Sequence, residues 1–126
     1  MIELIREDFK TLEILENERS VLPSHLELDI YIPSIKLAIE INGFLHYLPI
    51  YGTEKLEIIK RKDVQKIADA KKIKCKLVIV NISHIKYWNE TKEFLDAEYQ
   101  QIVKPLIQKL VSGLEMVSGR QGLEPR

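Results

Sequence analysis

Asp29 and Glu40 are the two side chains of this sequence best suited to hold a metal ion together. They lie in two short segments in which apolar and polar residues alternate, LELDIYI over 26–32 and LAIEIN over 37–42. Pro33-Ser34 between the segments marks a turn, and the whole stretch predicts a β-hairpin. Successive side chains of a strand point to opposite faces. One face of the hairpin should therefore collect the apolar residues Leu26, Leu28, Ile30, Ile32, Leu37, Ile39 and Ile41.

The opposite face of this hairpin then gathers polar side chains: Glu27, Asp29, Glu40 and Asn42. A four-residue loop would set Asp29 directly opposite Glu40, and a two-residue loop would set them on a diagonal. Two ionised carboxylates about 4 Å apart repel by roughly 4 kcal/mol at an effective dielectric of about 20, which a cation would relieve. Mg²⁺ prefers one or two carboxylates with waters and phosphate oxygens. An amphipathic hairpin whose polar face meets water is the alternative interpretation.

His46 lies just beyond the end of the second predicted strand, in the segment GFLHY over 43–47. An imidazole titrates near neutrality, so at this place it can act as a general acid or base beside the carboxylates. The alternative is an ordinary surface histidine in a loop. Its closeness to Glu40 along the chain favours the chemical role.

A helix predicted from about 54 to 72, with Thr53 as its N-cap, brings two more charged residues. Asp63 falls on the apolar stripe of this helix, where an unpaired buried carboxylate would be costly. Lys66 follows one turn later and either pairs with Asp63 or points with it into the acidic cleft. The stripe itself consists of Leu56, Ile59, Ile67 and Ala70.

Charge is distributed unevenly along the chain, although its formal total is zero. Residues 1–46 hold nine acids and four bases, a net charge of −5, and residues 55–76 hold nine bases and three acids, a net charge of +6. An acidic cluster beside a basic stripe suits a nuclease, which attracts a cation and a phosphate backbone. Lys60, Arg61, Lys62 and Lys66, with Asn42, are the expected nucleic-acid contacts. A solvated lysine-rich helix is the alternative.

The remaining segments predict a mixed sheet flanked by helices, an α/β architecture. We expect one domain over 1–111 and a flexible tail over 112–126 that takes no part in chemistry. The continuous apolar run KLVIVNI is typical of a strand covered on both faces, and Pro105 should kink or restart the last helix. The expected elements are a helix over 2–10, strands over 12–20 and 76–82, and a helix over 90–111 that offers a surface for a homodimer.

Composition places the chain among soluble globular proteins, with 45% hydrophobic and 30% charged residues in 126. No apolar run approaches the roughly 18–20 residues that span a bilayer. The segment MIELIREDFK lacks the features of a secretory signal, and the single Cys75 excludes an internal disulfide. These features predict a cytoplasmic protein without membrane contact.

The string ELDIYIPSIKLAIEINGFLHY over 27–47 resembles the core of PD-(D/E)XK, or restriction-endonuclease-like, nucleases. It is most similar to small phage, homing and very-short-patch-repair-like (Vsr-like) endonucleases. The stretches PIYGTEKLEIIKRKDVQK and KLVIVNIS also look like the helix and following strand of that group. The resemblance covers roughly residues 1–85. It implies a three-stranded antiparallel meander, a crossover helix and a buried fourth strand, and hydrolysis of DNA phosphodiester bonds.

The resemblance also implies roles for individual residues. Asp29 matches the motif aspartate and Glu40 the (D/E) position, so these two and the backbone carbonyl of Ile41 would hold Mg²⁺, with Mn²⁺ as a substitute. His46 and Asp63 match the histidine and helix aspartate of the repair-endonuclease-like subset, and Glu3 matches the acid of the family's first helix.

Asn42 stands where the motif has lysine, so this chain departs from the pattern at a residue that serves catalysis. Lys66, Lys62 and His46 are the candidates for the missing role, and Asp29, Glu40 and Asp63 complete the expected catalytic set. The departure also supports a second hypothesis: an inactive nuclease-fold protein that binds nucleic acid or a protein partner. A purely structural subunit is a third, which the clustered acids argue against.

Overall fold

The computed structural model describes residues 1–123, with side chains through Leu114. The chain begins with a helix and three consecutive strands, and short 3₁₀ turns at Pro33–Ile35 and Phe44–His46 lie in two of the connections. The elements in order are α1 (Ile2–Asp8), β1 (Leu15–Glu18), β2 (Leu28–Ile32), β3 (Leu37–Asn42), α2 (Thr53–Lys72), β4 (Lys76–Asn81), α3 (Trp88–Glu98) and α4 (Lys104–Leu123). The predicted mixed α/β architecture is confirmed.

The four strands form one sheet in the order β1-β2-β3-β4. β1, β2 and β3 pair antiparallel as a meander, and β4 pairs parallel to β3 after the α2 crossover. The β2–β3 connection takes a 3₁₀ turn and closes on Lys36, which adopts a left-handed conformation with φ of 46°. Its four residues give the register Ile30↔Ile39 and Ile32↔Leu37, and the next pair along is Asp29 and Glu40.

The sheet is covered on both faces, because apolar residues cluster on either side of it. One cluster joins Ile30, Ile32, Leu37 and Ile39 with the C-terminal helices through Tyr99, Val103 and Ile107. The other lies under α2 and contains Leu22, Leu28, Tyr31, Ala38, Ala70 and Cys75. The expectation that Leu26 and Leu28 share the face of Ile30 was wrong: both pack in the α2 cluster. At the start of β2, Leu28 is buried and Leu26 is partly buried under α2, so the side chains there do not follow the strict alternation of a strand.

β4 is an edge strand of the sheet and not the fully covered strand that its apolar run predicted. Only Val80 is buried, and the side chain of Ile79 is 41% exposed. An apolar run has no alternation from which to distinguish a central strand from an edge strand. Parallel pairing with β3, from Leu37↔Lys76 to Asn42↔Asn81, is nevertheless complete.

The predicted helix over 90–111 is divided near Pro105, as expected for a residue that lacks a backbone N–H. A π-helical turn, Tyr99–Val103, separates α3 from α4. Its Tyr99 is fully buried, and the hydroxyl donates a hydrogen bond to Asp8 Oδ2 at 2.7 Å and lies 3.3 Å from the Leu4 carbonyl oxygen. Tyr99 therefore attaches α1 to the C-terminal helices.

The backbone of α4 continues to Leu123, where an irregular tail from residue 112 was expected. Leu106, Leu110 and Val111 pack against the core, and a helix anchored in this way extends through Gly113. The division into a domain of 1–111 and a tail of 112–126 otherwise stays a prediction, and 124–126 lie outside the described residues. Across residues 1–123, no helix combines the length and the apolar character needed to cross a membrane.

Candidate active site

Asp29 and Glu40 lie on neighbouring antiparallel strands, one residue pair beyond Ile30↔Ile39. The backbone N–H of Asp29 lies 3.3 Å from Glu40 Oε2. The backbone N–H of Ile41 donates to Asp29 Oδ2 at 2.8 Å. The side chain of Asp29 thus bends across to the backbone of β3, and the three groups expected to hold a cation are adjacent.

The donor set is that of a hard cation, although it is small. Among the described side chains, no group of three or more His, Cys, Asp or Glu residues is arranged to hold a metal ion. A site here would use two carboxylates and the Ile41 backbone, and waters and phosphate oxygens would supply the rest, which is the usual pattern for Mg²⁺. The residues present fit such an ion by donor type, because two acidic side chains offer the oxygen ligands that it prefers.

Glu40 is the most deeply buried acid of this group, with 3% of its surface exposed. Burial, and after it the neighbouring Asp29 carboxyl, raise the pKa of Glu40 to about 7, and Lys66 acts in the opposite direction. The Lys66 Nζ donates to Glu40 Oε1 at 2.8 Å and its side chain is only 16% exposed. Of the two alternatives for Lys66, the structure shows that it points toward the acidic pair.

Asp63 pairs with His46 and not with Lys66. His46 Nδ1 lies 2.8 Å from Asp63 Oδ2, and both side chains are about three-quarters buried, at 26% and 23% exposed. A carboxylate at Nδ1 favours the tautomer with the proton on that nitrogen, which leaves the lone pair of Nε2 free to accept a proton. The arrangement is the orienting carboxylate and base found in many hydrolytic sites.

Asp63 and Lys66 reach these partners because both lie on the face of α2 that turns toward the sheet. Its less exposed positions recur at helical spacing: Leu56, Ile59, Asp63, Lys66, Asp69 and Ala70. Ile67 was assigned to the same stripe, but it is 49% exposed, because it lies one position beyond Lys66 on the helix. Thr53 is not the N-cap either. That position belongs to Gly52, whose φ of 99° is a conformation that favours glycine.

A cleft of about 250 Å³ opens between α2 and the β1–β2 connection. Its charged lining consists of Arg19, Glu27, His46, Lys62, Asp63 and Lys66. Asp29 does not line this cleft and instead faces a neighbouring depression with Glu16, Asn17 and Ile41. Glu40 lines neither opening, and its carboxyl contacts Lys66 of the cleft and Asp29 of the depression.

The basic residues predicted to contact nucleic acid divide into two groups. Lys62 and Lys66 line the cleft, whereas Lys60 and Arg61 do not. Arg61 is 77% exposed and forms an ion pair with Glu57 of its own helix at 3.7 Å. Asn42 is buried, with 5% of its surface exposed. The sequence reasoning missed Arg19, which has no local pattern to mark it and reaches the cleft only through the pairing of β1 with β2.

A further buried acid, Asp69, holds the wall of the cleft in place. The backbone N–H of Ser24 donates to Asp69 Oδ2 at 3.1 Å, the Ser24 hydroxyl donates to the same oxygen, and Gln65 Nε2 donates to Oδ1 at 2.8 Å. The Ser24 hydroxyl is the main reason that the pKa of Asp69 is lowered. This network attaches the β1–β2 connection to α2, the two elements between which the cleft opens.

Comparisons with protein-family models, with curated proteins and with solved structures find no match for this chain.

Proposed function

We propose that this chain is a metal-dependent DNA endonuclease of the restriction-endonuclease-like PD-(D/E)XK class, which hydrolyses phosphodiester bonds. One observation carries the proposal. The buried Glu40 carboxyl accepts hydrogen bonds from the Asp29 backbone N–H and the Lys66 ammonium, and an aspartate-oriented histidine lines the adjoining cleft. Two acids, a lysine and a proton-transfer group are the components that such hydrolysis requires.

Asp29, Glu40 and the backbone carbonyl of Ile41 are the groups that would hold Mg²⁺, with Mn²⁺ as a substitute. A bound divalent ion supplies Lewis acidity toward the phosphate and lowers the pKa of a coordinated water. The pKa of Glu40 is raised to about 7, and a bound cation would favour the ionised form of this carboxyl. The Ile41 N–H holds the Asp29 carboxylate in place before any ion arrives.

His46 is the group that would move a proton. Asp63 holds Nδ1 at 2.8 Å, so that Nε2 is the nitrogen available to a water or a leaving oxygen in the cleft. Asp63 acts here as a positioning residue. Positioned acid–base catalysis of this kind contributes about 10²–10⁴-fold to a rate.

Lys66 takes the place of the motif lysine. The motif would set that lysine on β3 at position 42, whereas here the ammonium arrives from α2 and reaches Glu40 at 2.8 Å. A positive charge at this point can stabilise the negative charge that develops on phosphate oxygens. Lys62 lines the same cleft and would contact the backbone beside the scissile bond.

Asn42 favours the second candidate function, an inactive nuclease-fold protein that binds DNA or a protein partner. Its side chain is neutral and buried at the motif lysine position. In that case the basic cleft would retain DNA without cutting it.

Nicking of supercoiled plasmid separates the two functions. With Mg²⁺ the endonuclease converts supercoiled to open-circular DNA, and EDTA abolishes the conversion. Lys66→Met should reduce the rate strongly, whereas Arg61→Met, which also removes one positive charge but from the outer face of α2, should leave it nearly unchanged. Binding of the plasmid without nicking, in Mg²⁺ and in Mn²⁺, would favour the inactive protein.

A further inference from the structure

The cleft is also lined by a basic residue, Arg19, that is not among the motif residues. Arg19 follows β1, and the register Glu18↔Leu28 places Arg19 next to Glu27 when it is extended by one pair. Its guanidinium faces the cleft from the side of the sheet, and Lys62 and Lys66 face the cleft from α2. Positive charge therefore stands on both sides of the opening.

Arg19 is held only loosely in the described structure. Its Nη2 lies 3.6 Å from Glu27 Oε1, and the two side chains are 67% and 37% exposed. An ion pair this exposed is weak and is readily exchanged for another anion. A guanidinium is also the cation best matched to phosphate, because its N–H groups form two parallel hydrogen bonds with phosphate oxygens.

We propose that Arg19 is a substrate-binding residue that leaves Glu27 and clamps a DNA phosphate against Lys62 across the cleft. The proposal rests on the proposed nucleic-acid function and adds to it the second wall and the exchange of partner. Glu27 acts in it as the anion that holds Arg19 at the cleft until a phosphate displaces it. The scissile strand then runs between the β1–β2 connection and α2, where Ser24 and Asp69 fix the separation of the two elements.

A double-variant comparison tests the proposal against a simple effect of net charge. Binding of a fluorescein-labelled duplex is measured by anisotropy in EDTA over a salt series, for the wild type, Arg19→Ala, Glu27→Gln and the double variant. Arg19→Ala should lower the slope of log affinity against log salt by about 0.9, which is roughly eightfold in affinity at 0.1 M salt. The double variant, which restores the net charge, should remain weakened to the same degree.

Arg6 provides a matched control, since it forms a similar exposed ion pair with Glu16 at 3.4 Å and does not line the cleft. Arg6→Ala should lower the slope less than Arg19→Ala does. A double variant at Arg19 and Glu27 that regains wild-type affinity would overturn the clamp, because the arginine would then only neutralise Glu27. If the salt slope is unchanged in Arg19→Ala but reduced in Lys62→Ala, the role of Arg19 is overturned and the proposed nucleic-acid function is not. Wild-type protein without salt-dependent DNA binding would overturn the proposed function as well.

Discussion

Glu40→Gln tests whether ionisation of the buried Glu40 carboxyl destabilises the folded chain, a cost that a bound metal ion would reduce. The substitution keeps the size of the side chain and an oxygen for Lys66, and it removes the ionisable group. In the folded chain the pKa of Glu40 rises from 4.5 to about 7, mainly through burial and then through Asp29, with Lys66 opposing the rise. Each unit of such a difference corresponds to about 1.4 kcal/mol. The rise therefore sets an upper bound of about 3.5 kcal/mol on the contribution of Glu40 to the change of stability with pH.

The sign of the effect follows from proton linkage. Below pH 4.5 Glu40 is protonated in the folded and unfolded chains alike and has no effect on the free energy of unfolding. Between 4.5 and about 7 the unfolded chain releases the proton first, so that wild-type stability falls as the pH rises. Glu40→Gln lacks this loss. In EDTA its stability relative to wild type should therefore increase between pH 4.5 and pH 8, by about 1–3 kcal/mol.

Urea denaturation of both proteins at pH 4.5 and pH 8 measures how the stability of Glu40→Gln relative to wild type changes with pH. The comparison requires that the slope of the unfolding free energy against urea concentration is the same in the two proteins. Glu57→Gln is the matched control: it makes the same chemical change on α2, at a side chain that is 68% exposed. It should show a much smaller change between the two pH values. A stability difference between Glu40→Gln and wild type that is the same at both pH values would refute the reasoning, because Glu40 would then ionise as easily in the folded chain as in the unfolded one.

Three further predictions follow from particular contacts. His46→Ala should lower the cleavage rate by about 10²–10⁴-fold and spare metal affinity measured by calorimetry; equal loss of metal binding would make His46 a ligand instead. Lys62→Ala should lower the salt slope of DNA binding by about 0.9, and Lys60→Ala should lower it less because Lys60 does not line the cleft; equal slopes would mean that the lysines act only as a diffuse charge. Tyr99→Phe should lower the free energy of unfolding in urea by about 1–2 kcal/mol, since it removes the hydroxyl that donates a hydrogen bond to Asp8 of α1; unchanged stability would show that this bond contributes nothing.

The pairing of Asp29 with Glu40 could be predicted from sequence because the turn between β2 and β3 determines the register of the two strands locally. Once Pro33-Ser34 fixes the turn, Asp29 and Glu40 fall on neighbouring strands whatever the rest of the chain does. Asp63 likewise could be placed on the inner face of α2 by helical spacing. These predictions depend on periods of two and 3.6 residues, which are properties of the backbone.

Other features depend on how separate elements pack, and periodicity does not reveal them. Leu28 lies under α2 because space is available there, and β4 is at the sheet edge because no further strand among residues 1–123 pairs with it. The choice of Asp63 between His46 and Lys66 was open for the same reason. It is decided by the position of α2 over β3, which brings Lys66 to Glu40 and His46 to Asp63.

Single-turnover cleavage of a supercoiled plasmid by wild-type protein and Asp29→Asn, purified side by side, tests the central claim most directly. The variant removes a charged ligand from a cation that prefers oxygen anions, and it keeps an oxygen to accept the Ile41 N–H. We expect wild-type protein to nick the plasmid in Mg²⁺ and not in EDTA, and Asp29→Asn to bind DNA as well as wild type without cutting it. Equal nicking by both proteins, or no cleavage by wild type in Mg²⁺ or Mn²⁺ on duplex, mismatched or branched DNA, would contradict the claim.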